Sequence, residues 1–148
     1  MALLVKDLLP LDMPKVRTLS PDTTVYEAIE ILARIDSGAL PVVEGGKVLG
    51  ILSERDYTRK VALENKQSSK ILVHEIMSAP VVSVTSETSV EDCLSLMNSK
   101  QIRHLPVIER TGELVGFISV LHVISALLNG ERQVVSELKE YVSQTWPF

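Results

Sequence analysis

One stretch of this chain is written twice. "TLSPDTTVYEAIEILARIDSGALPVVEGGKVLGILSERD" (18–56) aligns with "SVTSETSVEDCLSLMNSKQIRHLPVIERTGELVGFISVLH" (83–122). Identical pairs include Leu40/Leu105, Pro41/Pro106, Val42/Val107, Gly50/Gly116 and Ser53/Ser119, and most other pairs exchange one apolar residue for another. The lead-ins match as well, "VKDLL" (5–9) with "VHEIM" (73–77). A repeat of this kind constrains the fold strongly, because both copies must adopt one supersecondary unit.

Each copy reads the same way. Thr24-Val25-Tyr26-Glu27 and Ser89-Val90-Glu91-Asp92 are N-terminal capping patterns. Apolar residues then recur at helical spacing, as Val25, Ala28, Ile29 and Leu32, and as Val90, Cys93, Leu94 and Met97. Two short apolar strands follow, "ALPVVE" and "VLGILS" around Gly45-Gly46, with counterparts "HLPVIE" and "LVGFIS" around Arg110-Thr111-Gly112. A second helix closes each unit, "ERDYTRKVALEN" and "VLHVISALLNG". The expectation is an α/β (α+β) chain of two tandem β-α-β-β-α repeats related by a pseudo-two-fold axis. Repeat 1 spans 3–64, a linker and lead-in 65–82, and repeat 2 83–128. A tail helix over 131–148 is predicted from the stripe Val134, Val135, Leu138, Tyr141 and Val142.

At 148 residues, 45% apolar and 23% charged, the chain has enough material for a core and is not of a disordered class. Its single cysteine, Cys93, excludes an intramolecular disulfide framework and fits a reducing compartment. No window approaches the roughly 18 apolar residues of a membrane span, and the acidic start "MALLVKDLLPLD" does not read as a secretory signal. A net charge of −4 speaks against a nucleic-acid partner. The expected location is cytoplasmic.

The paired "LPVV…G-apolar-apolar-S-x-x-D" pattern, with "TLSPDTTV" before it and "IM" between the copies, resembles a CBS-domain pair, or Bateman module, of the stand-alone type. That resemblance covers about residues 3–128. It implies sensing of an adenosine ligand (AMP, ADP, ATP, NAD or S-adenosylmethionine), no catalysis, and a disc-like homodimer of two pairs that regulates an unidentified protein.

The candidate site residues follow from the same alignment. Ser53-x-x-Asp56 at a strand-to-helix junction supports two readings. One is a capping box worth about 1 kcal/mol. The other, implied by the resemblance, makes Asp56 the acceptor of both ribose hydroxyls, with Ser53 and the N–H groups of the helix start near the sugar or phosphate. In copy two Ser119 keeps the cap, but His122 replaces the carboxylate, and an imidazole does not accept both hydroxyls in that way. The apolar run around His122 predicts burial, with another subunit as the expected cover.

Arg103 and His104 stand where copy one has Gly38-Ala39. They are either a surface arginine with a half-buried histidine or a phosphate clamp. Arg55, Arg59 and Lys60 add positive charge nearby. Pro41 and Pro106 mark a strand start or edge, and the resemblance implies that backbone groups left free there meet an adenine ring. Thr18 and Ser83 are weaker candidates for the base, and Ile51 for packing on it. His74, His104, His122 and Cys93 lack the spacing of a zinc site, so no metal is expected. An enzyme with Asp56 as base would need partner residues that no motif supplies. The expected function is therefore a regulatory module that binds AMP or a related adenine nucleotide. NAD(H) as the ligand, or a structural dimerisation module without one, are the alternatives.

Overall fold

The computed structural model describes residues 3–9 and 16–129, and the expected tail helix lies outside them. Helix α1 (Val25–Ile35) is capped by Thr24, whose Oγ1 accepts from the Glu27 N–H at 3.2 Å. It ends at Asp36 in a left-handed conformation, φ 54°. Strands β1 (Ala39–Glu44) and β2 (Lys47–Ser53) then form an antiparallel hairpin. Gly45 and Gly46 both have positive φ, which a two-residue hairpin turn of this hand demands. Helix α2 (Glu54–Tyr57) runs on into a five-residue π-helical turn, Thr58–Ala62, so the expected second helix is not regular α throughout.

A short helix α3 (Val73–Ile76) opens the second half. It is followed by α4 (Val90–Lys100), the antiparallel hairpin of β3 (His104–Ile108) with β4 (Leu114–Ser119), and α5 (Val120–Leu128). Both hairpins shift register at the same place, after Val42 and after Val107. The fold is thus two copies of one α+β unit.

The strand expected at the head of each unit is a single bridging residue. Leu19 donates to the Pro41 carbonyl at 2.9 Å and accepts from Val43 N–H at 2.8 Å; Val84 does the same with Pro106 and Ile108, at 3.1 and 2.8 Å. A parallel strand extending back from Leu19 would next need an N–H from residue 41, and proline has none. The proline that marks each central strand therefore limits the strand beside it.

Packing crosses the order of the sequence. Val5 donates to Thr88 O, and Val90 to Leu3 O, each at 2.8 Å. In the other unit Val73 donates to Thr23 O, and Val25 to Ile71 O, also at 2.8 Å. Val5 lies in the core of repeat 2 with Val90, Met97 and Leu105; Val73 and Ile76 lie in that of repeat 1 with Val25, Leu32 and Leu52. Each lead-in completes the other repeat. Cys93 is fully buried in the second core, where burial and then the Asp92 charge push its thiol up to about 11. That removes it from thiolate chemistry at neutral pH.

The apolar run of α5 is covered from within the chain. Val120, Val123, Ile124 and Leu128 join the core of repeat 2, while Leu121 stays 54% exposed. The expectation that another subunit covers this helix is not needed to explain its composition.

Candidate functional site

A half-open cleft of about 940 Å³ lies between the repeats, within the range of small-ligand sites. Repeat 1 contributes the end of β2 and the start of α2, and repeat 2 contributes the approach to β3. The segment entering from α3 forms a third wall, with Ser78, Pro80, Val81 and Val82.

Asp56 is at the floor, 7% exposed, the one buried charged residue among those described. Its position follows from the cap. Ser53, at the end of β2, accepts the Asp56 N–H on Oγ at 3.1 Å. In return Asp56 Oδ2 accepts from Ser53 N–H at 2.9 Å and from its hydroxyl at 3.0 Å. The other oxygen, Oδ1, accepts from Ser78 Oγ at 3.0 Å and meets Lys60 Nζ at 3.0 Å. Lys60 also donates to the Ile76 carbonyl at 2.8 Å. A carboxylate has about four lone-pair sites, and all four have partners here. The cap is therefore a structural fact, and a ribose diol at Asp56 would have to displace two of these donors.

Ser78 was not visible as a site residue in the sequence. Ile51 holds it, with backbone bonds in both directions at 2.8 and 3.1 Å, so Ile51 serves as a support and also lines the cleft. The lead-in position corresponding to Ser78 in copy one is Pro10, so the repeat offers no hint of it.

Three guanidiniums converge on the opening. Arg55 and Arg59 come from α2 and the turn after it, and Arg103 from the opposite repeat. Burial, followed by the Arg55 and Arg59 charges, pushes the part-buried Arg103 guanidinium below its usual range, and it remains a cation at neutral pH. Glu54 is the other carboxylate in the lining besides Asp56. With Asp56 paired to Lys60, the lining carries more positive than negative charge, which suits an anionic ligand.

His104 departs from the expected clamp. Its ring stacks on Phe117 with centroids 5.4 Å apart and planes 9° off parallel. Burial first, then the Arg103 and His122 charges, push its pKa down to about 4. It is neutral at pH 7 and supplies no cation for a phosphate. Between about pH 6.5 and about 4 the unfolded chain binds a proton at His104 that the folded chain does not. Stability contributed by the neutral ring is complete above that window and lost as the pH falls through it. The expected loss by pH 4 is about 3 kcal/mol. Urea midpoints at pH 7 and 4.5 measure it, and the His104→Gln protein should show much less of it.

The other expected site residues sit elsewhere. Thr18 and Ser83 are exposed beside the bridging residues and do not line the cleft. Pro41 and Pro106 are buried, and their carbonyls are taken by Leu19 and Val84, which leaves these oxygens already engaged where an adenine contact was expected. Ser119 and His122 reproduce the cap of copy one. Ser119 N–H donates to His122 Nδ1 at 3.0 Å, and Ser119 Oγ accepts from His122 N–H at 3.3 Å. The imidazole keeps the carboxylate's capping role with a single acceptor atom. Neither residue lines the cleft at Asp56.

Two copies of one α+β unit, exchanging lead-ins and enclosing a basic cleft with a buried carboxylate, define a tandem-repeat module. The CBS domain model matches residues 5–63 and again 73–129, and the chain belongs to the CBS domain family. It is 35% identical over 126 residues to the CBS domain-containing protein CBSX3, mitochondrial, of Arabidopsis thaliana, covering 82% of this chain and 61% of that protein's length. The fold is similar to a CBS-domain containing protein from Agrobacterium tumefaciens, with a TM-score of 0.77, 35% identity, and 85% of this chain and 94% of that one covered. It is also similar to the CBS domain pair of protein MJ0100 in complex with 5′-methylthioadenosine and S-adenosyl-L-methionine. That match has a TM-score of 0.75 and 27% identity, and covers 88% of this chain and 99% of the other. Among the described residues no helix is long and apolar enough to cross a membrane.

Proposed function

We propose that this chain is a regulatory module that binds AMP or a related adenine nucleotide in the cleft at Asp56, with no catalysis of its own. NAD(H) is the alternative ligand. The observation that carries the reading is a cleft with a buried carboxylate at its floor and three guanidiniums at its opening. A carboxylate suits a ribose diol, and the planar forks of arginine suit phosphate oxygens. The MJ0100 pair, similar over nearly its whole length, holds adenosine compounds, which supports adenosine as the common part of the ligand. The positive lining disfavours a sulfonium such as S-adenosylmethionine and favours a nucleotide anion. In this reading Arg55, Arg59 and Arg103 face the phosphates, Asp56 the ribose, and Ile51 the base. The module acts in the cytoplasm as a homodimer, and ligand binding shifts its grip on a regulated partner by differential affinity for two states.

The saturated hydrogen bonding of Asp56 favours a second reading, a structural dimerisation module whose cleft takes no nucleotide. A thermal-shift titration with AMP, ADP, ATP, NAD, NADH and S-adenosylmethionine separates the two. A ligand at about 100 times its Kd adds roughly 2.7 kcal/mol, which raises Tm by roughly 5–10 °C for a chain of this size. The expected result is a rise with the nucleotides and none with S-adenosylmethionine. A flat response to all six, with no adenine absorbance in a denatured extract, would leave the structural reading.

A further inference from the structure

We propose that Lys60 is an internal competitor for the ribose diol, holding on Asp56 Oδ1 the place that a ligand hydroxyl takes. The inference rests on the reading of Asp56 as the ribose acceptor and deepens it. By charge alone Lys60 would be counted with the arginines as a phosphate contact. Its position argues otherwise, because its ammonium is 3.0 Å from Asp56 Oδ1 and 2.8 Å from the Ile76 carbonyl. The π-helical turn Thr58–Ala62 carries it there from four residues beyond Asp56.

The two oxygens of Asp56 are not equivalent. Oδ2 is committed to Ser53, and losing those bonds would undo the start of α2. The exchangeable side is Oδ1, held by Lys60 and Ser78. Lys60 can leave at modest cost, since its side chain is 41% exposed and keeps the Ile76 carbonyl as a partner. The repeat supplies an independent observation. Where copy two has His122 in place of Asp56, the position of Lys60 is taken by Ala126. Carboxylate and ammonium are present together in one copy and replaced together in the other. Binding then carries a conformational message. Releasing Ser78 from Oδ1 loosens the tie between α2 and the segment after α3, whose helix completes the core of repeat 1, while release of Lys60 frees a contact local to α2 and the turn after it.

Calorimetric titration of the full chain with adenosine, which carries no phosphate, isolates this effect. Lys60→Met should bind adenosine roughly threefold to fivefold more tightly than wild type, the gain expected from removing a half-exposed ion pair. 2′,3′-Dideoxyadenosine, which has no diol, should bind both proteins alike. A measurement on the wild type alone guards against a variant that fails to fold. Adenosine is neutral, so raising salt from 50 to 500 mM should tighten its binding, by roughly twofold, as the Lys60–Asp56 pair is screened. Unchanged or weaker adenosine binding in Lys60→Met, equal tightening for the dideoxy compound, or binding indifferent to salt would each overturn the competitor. If AMP binds the wild type in such a case, the nucleotide reading survives. If neither AMP nor adenosine binds either protein, both ideas fall together.

Discussion

Asp56→Ala is expected to abolish nucleotide binding and to lower stability at the same time, and the two losses have different origins. The binding loss comes from two charge-assisted hydrogen bonds to the ribose. Together they are worth about 3 kcal/mol or more, a weakening of roughly a hundredfold. The stability loss comes from the four donors that Asp56 serves. Ser78 and Lys60 can turn to water, whereas the Ser53 N–H at the helix start loses its acceptor. About 2 kcal/mol is a reasonable expectation, more than a bare N-cap is worth. Asp56→Asn separates the terms. Its remaining oxygen can still accept from Ser53, so the melting point should fall less. Its amide nitrogen, standing in the place of Oδ1, cannot accept a ribose hydroxyl, so binding should still be lost. Calorimetry with AMP alongside urea denaturation reads both. Near-wild-type affinity in either variant would remove Asp56 from the binding site and leave it as a cap.

The second large effect is expected from Gly50→Ala. A Cβ built on Gly50 would sit 2.8 Å from the Ser78 backbone oxygen and 2.8 Å from Met77 Sδ. The sulfur belongs to a flexible side chain, but the carbonyl is fixed by its bond to Ile51. Relief requires the segment at Ser78 to move away from β2, at a cost of about 1–3 kcal/mol. The same movement withdraws Ser78 from Asp56, so nucleotide affinity should change along with the urea midpoint. Gly116, the aligned glycine of the other repeat, provides an internal control. The nearest atom there is Leu9 Cδ2 at 2.8 Å, the tip of a side chain that can rotate aside. Gly116→Ala should be the milder of the two and should leave the Asp56 cleft alone. Equal destabilisation by both would show that the fixed carbonyl is not what sets the cost.

Much of this architecture was legible in the sequence because the chain states it twice. The helices over 25–35 and 90–100, the two hairpins and both Ser53 and Ser119 caps follow from local periodicity and short-range capping patterns. What stayed hidden depends on which distant segments meet. Pairing of Ser78 with Asp56 spans 22 positions and has no counterpart in the other copy. At His104 the sequence leaves a half-buried ring and a phosphate clamp both open, and its stacking partner Phe117, 13 positions on, is not marked by any local pattern. The missing leading strands were readable in principle, since Pro41 and Pro106 announce which N–H groups are absent. That inference needed the identity of the neighbouring segment, which repeat alignment alone does not provide.

The exchange of lead-ins imposes an order on how the chain can be assembled as it is made. The segment around Lys6 is made before its partner Glu87, which is 81 positions further on. At about 5–20 residues per second that is a wait of roughly 4–16 s before the hydrogen bonds of Val5 and Lys6 can form. In the meantime residues 16–77 already contain every buried side chain of the first core. The first repeat to close is therefore the one finished by its successor's lead-in, and the lead-in around Val5, made before either repeat, is placed only after the first has closed.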